Sequence, residues 1–162
     1  ILASSYAEYN PDRPTYYFSD STPPRIKSRA FAYCSSIVEF TIPDGITEIE
    51  EECFIGCTSL AEITISKSVM VIDEAAFENC ISLKKINFAT DGELYSISKN
   101  AFASCNSLTR LELPKGIKYI ATNALLNCAE LCELVLPDGI KVIDMALSQK
   151  EDDEEETTET EE

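Results

Sequence analysis

From Ala101 to Ile120 the chain reads AFASCNSLTRLELPKGIKYI. Reduced to its skeleton this is Ala-Phe-x-x-Cys-x-x-Leu-x-x-Leu-x-Leu-Pro-x-Gly-Ile-x-x-Ile. Recognisable copies of that skeleton fill most of the remaining chain. The cysteine marks the beat: Cys34, Cys57, Cys80, Cys105 and Cys128, at spacings of 23, 23, 25 and 23 residues. Self-similarity at a period of roughly 20–50 residues identifies a repeat architecture, in which each unit is too small to bury its own apolar face and must stack on its neighbours.

The copies agree at many positions. The first has Ala30-Phe31, Cys34, Ile37, Phe40, Ile42, Pro43, Gly45-Ile46 and Ile49. The second has Cys53-Phe54, Cys57, Leu60, Ile63, Ile65, Val69 and Ile72. The third has Ala76-Phe77, Cys80, Leu83, Ile86, Phe88, Leu94 and Ile97. The fifth has Ala124-Leu125, Cys128, Leu131, Leu134, Leu136, Pro137, Gly139-Ile140 and Ile143. Ile26 stands four residues before Ala30, as Ile49 stands four before Cys53, so a partial repeat precedes the first. Tyr16, Tyr17 and Phe18 are candidates for its strand.

The spacing of apolar residues predicts the shape of one coil. In Leu-x-x-Ile-x-Ile the last two alternate with period two, as a half-buried strand requires. In Ala-Phe-x-x-Cys-x-x-Leu they fall at i, i+1, i+4 and i+7, one face of a short helical turn. Proline or glycine then breaks the chain before a second extended piece. The expected fold is an α/β repeat solenoid with coils of about 23 residues. It has a parallel strand ladder, short helical turns and a second short extended segment per coil. Five coils occupy residues 26–147. Residues 1–25 form a non-repeat N-terminal segment, and 148–162 a disordered acidic tail.

This frame resembles the leucine-rich repeat of the BspA-like, or Treponema pallidum-type, family over about residues 26–147. Gly45, Ser68, Gly116 and Gly139 stand where leucine-rich repeats usually carry asparagine, which fits that subtype. The resemblance implies a surface or secreted protein of a bacterium or host-dwelling protist, with adhesion to host or matrix proteins as its role. Function of this kind lives in a site rather than in the fold, so the residues must be read separately.

Charge narrows the partners. The net charge is −16, about half of it in the tail, where nine acids from Glu151 to Glu162 face Lys150 alone. Acidic surfaces do not attract nucleic acid or anionic membrane. No apolar run approaches the 18 or so residues of a membrane span. The chain starts at Ile1 without methionine, as expected of a fragment. The tail has no apolar residue from Glu151 onward, and ordering it would cost about 1–2 kcal/mol per residue in backbone entropy. It is therefore expected to be dispensable for folding.

Seven cysteines and no histidine bound the chemistry. A cysteine once per coil, inside an apolar frame, reads as a small buried hydrophobe. Bridges between stacked coils are the geometric alternative. Cys53-x-x-x-Cys57 and Cys128-x-x-x-Cys132 lack the histidine that would complete a zinc site. Without histidine the Ser-His-Asp and Cys-His constellations are absent, and no glycine-rich phosphate loop occurs. The expectation is a non-enzymatic protein without cofactor or metal.

Binding then has to come from surface. Outward strand positions line up across coils: Val38, Ala61, Lys84, Thr109, Cys132; then Glu39, Glu62, Lys85, Arg110, Glu133; then Thr41, Thr64, Asn87, Glu112, Val135. Lys84, Lys85, Asn87, Thr109, Arg110 and Glu112 form a mid-solenoid patch with a basic band on an acidic protein. It is either a contact for an acidic or polar partner, or a solvated face whose charges pair across coils. The third coil offers a second candidate. Its step from Phe88 to Leu94 is six residues where the second coil takes four, Ile65 to Val69, and the excess lies in Ala89-Thr90-Asp91-Gly92-Glu93. Insertions between repeat positions map to loops on one face, often the binding face. The return face carries Met70, Val71, Tyr95, Tyr119 and Val142, either an apolar stripe or a second short sheet. The functional expectation is a monomeric protein–protein interaction module. The alternative is a structural spacer, or a piece of a longer repeat protein without a ligand site.

Overall fold

Each repeat contributes one strand and one two-residue return strand, because only its Leu-x-x-Ile-x-Ile and Ile-x-x-Ile pieces are extended. In the computed structural model, which describes residues 24–140 and 142–143, the strands are β1 (Glu39–Thr41), β3 (Glu62–Ile65), β5 (Lys85–Phe88), β7 (Arg110–Glu112) and β9 (Glu133–Val135). The return strands are β2 (Glu48–Ile49), β4 (Val71–Ile72), β6 (Ser96–Ile97), β8 (Tyr119–Ile120) and β10 (Val142–Ile143). All but the last two residues of the segment 1–25, including Tyr16-Tyr17-Phe18, and the whole acidic tail 148–162 lie outside the described residues.

Equivalent frame positions meet across coils. Glu39 stands opposite Glu62 and Glu62 opposite Lys85; Phe40, Ile63 and Ile86 align in the same way. The return strands form one parallel sheet in the order β10-β8-β6-β4-β2. Ile26 bridges Ile49 beyond β2, so the partial repeat joins the array. Register is set by period two: a slip of one residue would turn Ile63 and Ile65 out of the core and Glu62 and Thr64 into it.

Among the described residues no helix is found, so the expected short helical turns are not borne out. From Ala30 to Cys34, and at every equivalent segment described, the chain makes successive tight turns. Alternate amides reach three residues back or across to the next coil. The Ala32 N–H donates to the Arg29 carbonyl (3.1 Å), Phe31 to Cys53 (2.9 Å) and Tyr33 to Ile55 (2.7 Å). Two residues per coil adopt left-handed φ, four apart: Arg29 and Tyr33, Glu52 and Gly56, Ala75 and Asn79, Asn100 and Ser104, Asn123 and Asn127. Asparagine and glycine tolerate that conformation, and a helix does not contain it. The reason is lateral room. A helix with side chains is about 10–12 Å across, whereas coils in a parallel ladder repeat every 4.8 Å or so. Only a flat turned segment stacks at that pitch.

The core follows from this stacking. Phe31, Phe54, Phe77 and Phe102 form a column with ring centroids 5.0, 5.1 and 5.2 Å apart and planes within 13° of parallel. Cys57, Cys80 and Cys105 are buried beside it, and no polar or charged residue is buried among the described residues. Each thiol hydrogen-bonds a phenylalanine carbonyl one coil back: Cys57 Sγ to Phe31 (3.0 Å), Cys80 to Phe54 (3.2 Å), Cys105 to Phe77 (3.3 Å) and Cys128 to Phe102 (3.2 Å). All seven cysteines are free. The slot therefore takes a residue that is apolar in size and still donates weakly, and cysteine meets both demands.

Candidate interaction surface

The strand ladder is not continuous. β1-β3-β5 form one sheet and β7-β9 another, while the return sheet runs unbroken past the same junction. Elsewhere on the strand side, two amides of one coil share a carbonyl of the coil before. Ala61 and Glu62 donate to Val38 (2.7 and 3.3 Å), Lys84 and Lys85 to Ala61 (2.9 and 3.3 Å), and Cys132 and Glu133 to Thr109 (3.0 and 3.2 Å). The corresponding amides of Thr109 and Arg110 make no such bond to the Lys84 carbonyl. Coils three and four nonetheless stay joined behind, where the Lys118 N–H donates to Tyr95 (2.8 Å) and the Phe77 N–H to Ala101 (2.8 Å). Strand pairing lapses on this side alone, and β5 and β7 remain close neighbours across the junction.

The two-residue excess in the third coil accounts for the opening. After Phe88 the chain turns, with the Gly92 N–H donating to Ala89 (3.1 Å) and Glu93 tied back to Lys67 of coil two (3.0 Å). The loop's backbone lies on Gly116 of coil four: a Cβ there would sit 3.1 Å from the Leu94 carbonyl oxygen and 3.3 Å from that of Gly92. Extra chain is thus packed at the strand ends, where the other coils close up. A cavity of about 510 Å³ results, walled by Ile86 to Thr90 on one side and Glu112 to Lys115 on the other. A second, of about 500 Å³, lies on the far side of the loop, along the strand ends of coils one to three, with Lys67 and Asp91 among its walls. Ile63 and Ile65 are fully buried in coil two, but their counterparts Ile86 and Phe88 are only half-buried.

Of the six patch residues, the structure sets Asn87 and Glu112 in the wall of the first cavity. Lys84, Lys85, Thr109 and Arg110 stand at the heads of the strands. The basic band is largely neutralised from within. Lys85 Nζ lies 2.9 Å from Glu62 Oε1, and Asn87 Nδ2 donates to the same oxygen (2.6 Å) and to Thr64 Oγ1 (3.3 Å). Hydrogen bonds from Lys85 and then Asn87 hold the Glu62 carboxyl below its usual range. Arg110 binds Glu112 and Glu133, each at 3.0 Å. Among the described residues Lys84 and Lys115 enter no ion pair. Charge alternation along the ladder therefore produces cross-coil pairing. Ile86 and Phe88 are the surface residues that frame reading assigns wholly to the core; the length of coil three is the signal that exposes them.

The return-face residues belong to the second sheet. Val71, Tyr119 and Val142 lie in its strands, and exposed Met70 and Tyr95 directly precede β4 and β6. Tyr95 and Tyr119 meet edge to face at 5.1 Å. Among the described residues no group of His, Cys, Asp or Glu is arranged to hold a metal ion, and no helix is long and apolar enough to cross a membrane.

The family model described as the BspA type leucine rich repeat region matches residues 24–151 in six copies. A search among curated proteins finds no match. Among solved structures, the Treponema pallidum leucine rich repeat protein is similar at 28% identity and a TM-score of 0.65, over 76% of this chain and 68% of that one. A Bacteroides ovatus leucine-rich repeat protein is similar at 29% identity and a TM-score of 0.66, over 85% of this chain and 35% of that one. A leucine rich cell surface protein of Faecalibacterium prausnitzii is similar at 27% identity and a TM-score of 0.54, over 60% of this chain and 31% of that one. The chain thus corresponds to about a third of the length of the last two.

Proposed function

We propose that this chain, which belongs to the BspA-type leucine rich repeat family, is a non-enzymatic module that binds a protein partner through its strand face. The carrying observation is the opening between β5 and β7, which leaves frame residues Ile86 and Phe88 half-buried at a cavity of about 510 Å³. A stacked array has little reason to leave core residues uncovered, since each buried apolar side chain contributes roughly 1.5–3 kcal/mol. The contact would centre on the opening, with Asn87 and Glu112 in its wall and Lys84, Lys85, Thr109 and Arg110 at its head. A surface or secreted location and a role in adhesion fit the cell-surface description of the Faecalibacterium relative.

The ion pairs of Lys85 and Arg110 favour a second reading, a spacer whose face satisfies its own charges. Binding of the full chain to purified extracellular-matrix and serum proteins separates the two. An interaction module binds at least one of them and loses it on Lys85→Glu combined with Arg110→Glu, with the fold intact by circular dichroism. Absent binding supports the spacer, and binding that ignores these substitutions overturns the strand face as the contact.

A further inference from the structure

We infer that the outer side of coil five is a second contact surface and takes an extended segment of a basic protein partner. The segment adds to the outer edge of β9 and lays apolar side chains over the exposed end of the core. This surface is separate from the opening between coils three and four, and its test leaves that reading untouched.

The end is apolar because the frame runs into it without a coil beyond. Leu60, Ile63, Ile65 and Val69 of coil two are buried, with a coil stacked on either side. Their counterparts Leu131, Leu134 and Ile140 pack on the core yet stay half-buried, and Leu136 is 39% exposed. The sequence that follows offers no apolar cover at the frame positions. One 23-residue step beyond Cys128, Leu131, Leu134 and Leu136 stand Glu151, Glu154, Thr157 and Glu159. Carboxylates do not enter an apolar interior unpaired.

The edge supplies backbone groups. β9 pairs with β7 and is last in its sheet among the described strands. In the ladder Val38 accepts from Ala61 of the following coil (2.7 Å), and Thr109 from Cys132 (3.0 Å). The equivalent carbonyl of Cys132 has no such partner among the described residues. Nor does the Leu136 amide, whose counterparts at Ile42 and Leu113 donate to Thr64 and Val135. An edge of this kind is a template for pairing, and strand addition to it is an established mode of recognition. Leu134 and Leu136 lie two residues apart, the interval at which an extended segment sends side chains to one side.

Charge and the opposite end of the array select the occupant. Glu130 and Asp138 are exposed at either end of the apolar run and enter no ion pair among the described residues. Nine further acids follow in the sequence from Glu151 to Glu162. Two copies meeting at this end would bring those acids together, which like charge opposes. Stacking on the first coil of a second copy fails differently. Phe31, Ile37, Phe40 and Ile42 of coil one are already buried, so that end offers no apolar surface in return. A partner with lysine or arginine beside its apolar residues matches both the core end and its rim.

The test pans random linear dodecapeptides, displayed on phage, against the full chain. Enriched peptides should carry apolar residues at alternate positions with lysine or arginine beside them. Synthetic copies should lose about tenfold in affinity on Leu136→Glu, and about as much on Glu130→Lys combined with Asp138→Lys. Leu136→Ser, a milder change, should weaken binding in the same direction and serves if Leu136→Glu unfolds coil five. Bound peptide should slow hydrogen exchange at the Leu136 amide. No enrichment overturns the inference; so do peptides that ignore both Leu136 variants and leave that amide unprotected. Enriched peptides with acidic or neutral flanks overturn the basic partner. Sedimentation that finds a dimer of the full chain, abolished by Leu136→Glu, assigns the end to a second copy and overturns it as well.

Discussion

The frame cysteine works as a donor in an apolar slot. Its Sγ lies 3.0–3.3 Å from a carbonyl one coil back in four successive coils. Burial pushes the Cys57 and Cys128 thiols up to about 11 and that of Cys80 further. These thiols are therefore poor nucleophiles, since the thiolate is the reactive form. Native alkylation should label exposed Cys132 first and reach Cys53, Cys57, Cys80 and Cys105 only on unfolding, as counted by mass spectrometry. Cys80→Ala should cost on the order of 1–2 kcal/mol in urea denaturation. The sign of the pH effect follows from the raised values. Unfolded thiols ionise near pH 9 and folded Cys57 and Cys128 near 11, so stability holds below pH 9 and falls across that interval. Stability that is flat between pH 9 and 11 would contradict the thiol assignment.

Two kinds of element decide the coil. The turned segment is defined by its left-handed residues, and Ala75 at φ 53° bears the penalty that asparagine and glycine avoid. Relief of that strain, about 1–2 kcal/mol, outweighs the 0.5–1 kcal/mol or so of added chain entropy, so Ala75→Gly should raise the thermal midpoint slightly. A lower midpoint would mean that the Ala75 methyl packs better than its backbone suffers. Asn79, Asn100, Asn123 and Asn127 are of the residue type that tolerates such turns. The apolar spacing i, i+1, i+4, i+7 instead favoured a helix, because helix and stacked turn share that spacing locally. The second element is the loop from Ala89 to Glu93. Deleting Asp91 and Gly92 restores the 23-residue step from Cys80 to Cys105, which should let β5 pair with β7 and bury Ile86 and Phe88. The expected result is a higher thermal midpoint and slower exchange at Thr109 and Arg110. Loss of the fold would show the loop to be a structural requirement of coil four.

Across the whole molecule, contacts run between neighbouring coils and the charge is one-sided. A net charge of −16 repels itself over distances that salt screens, with a Debye length of about 10 Å at 0.1 M. Surface pairs such as Lys85–Glu62 contribute little in comparison. Raising sodium chloride from about 20 to about 500 mM should therefore raise the thermal midpoint; a fall would mean the ion pairs of the strand face outweigh the net repulsion. The repeat, its register and its column of phenylalanines were readable from the chain alone, because a residue recurring every 23 positions can satisfy its burial only by stacking on its own copies. Lys84, Lys85, Asn87, Thr109, Arg110 and Glu112 follow from the frame as outward positions of coils three and four; that the two strands carrying them do not pair is not in the frame. Two things were decided by tertiary structure. The pitch of the ladder selected flat turns over helical ones, since both fit the local spacing and only one stacks. The extra chain of coil three, packed on Gly116, parted β5 from β7, since a local count shows that residues are in excess and only their packing shows which junction must open to hold them.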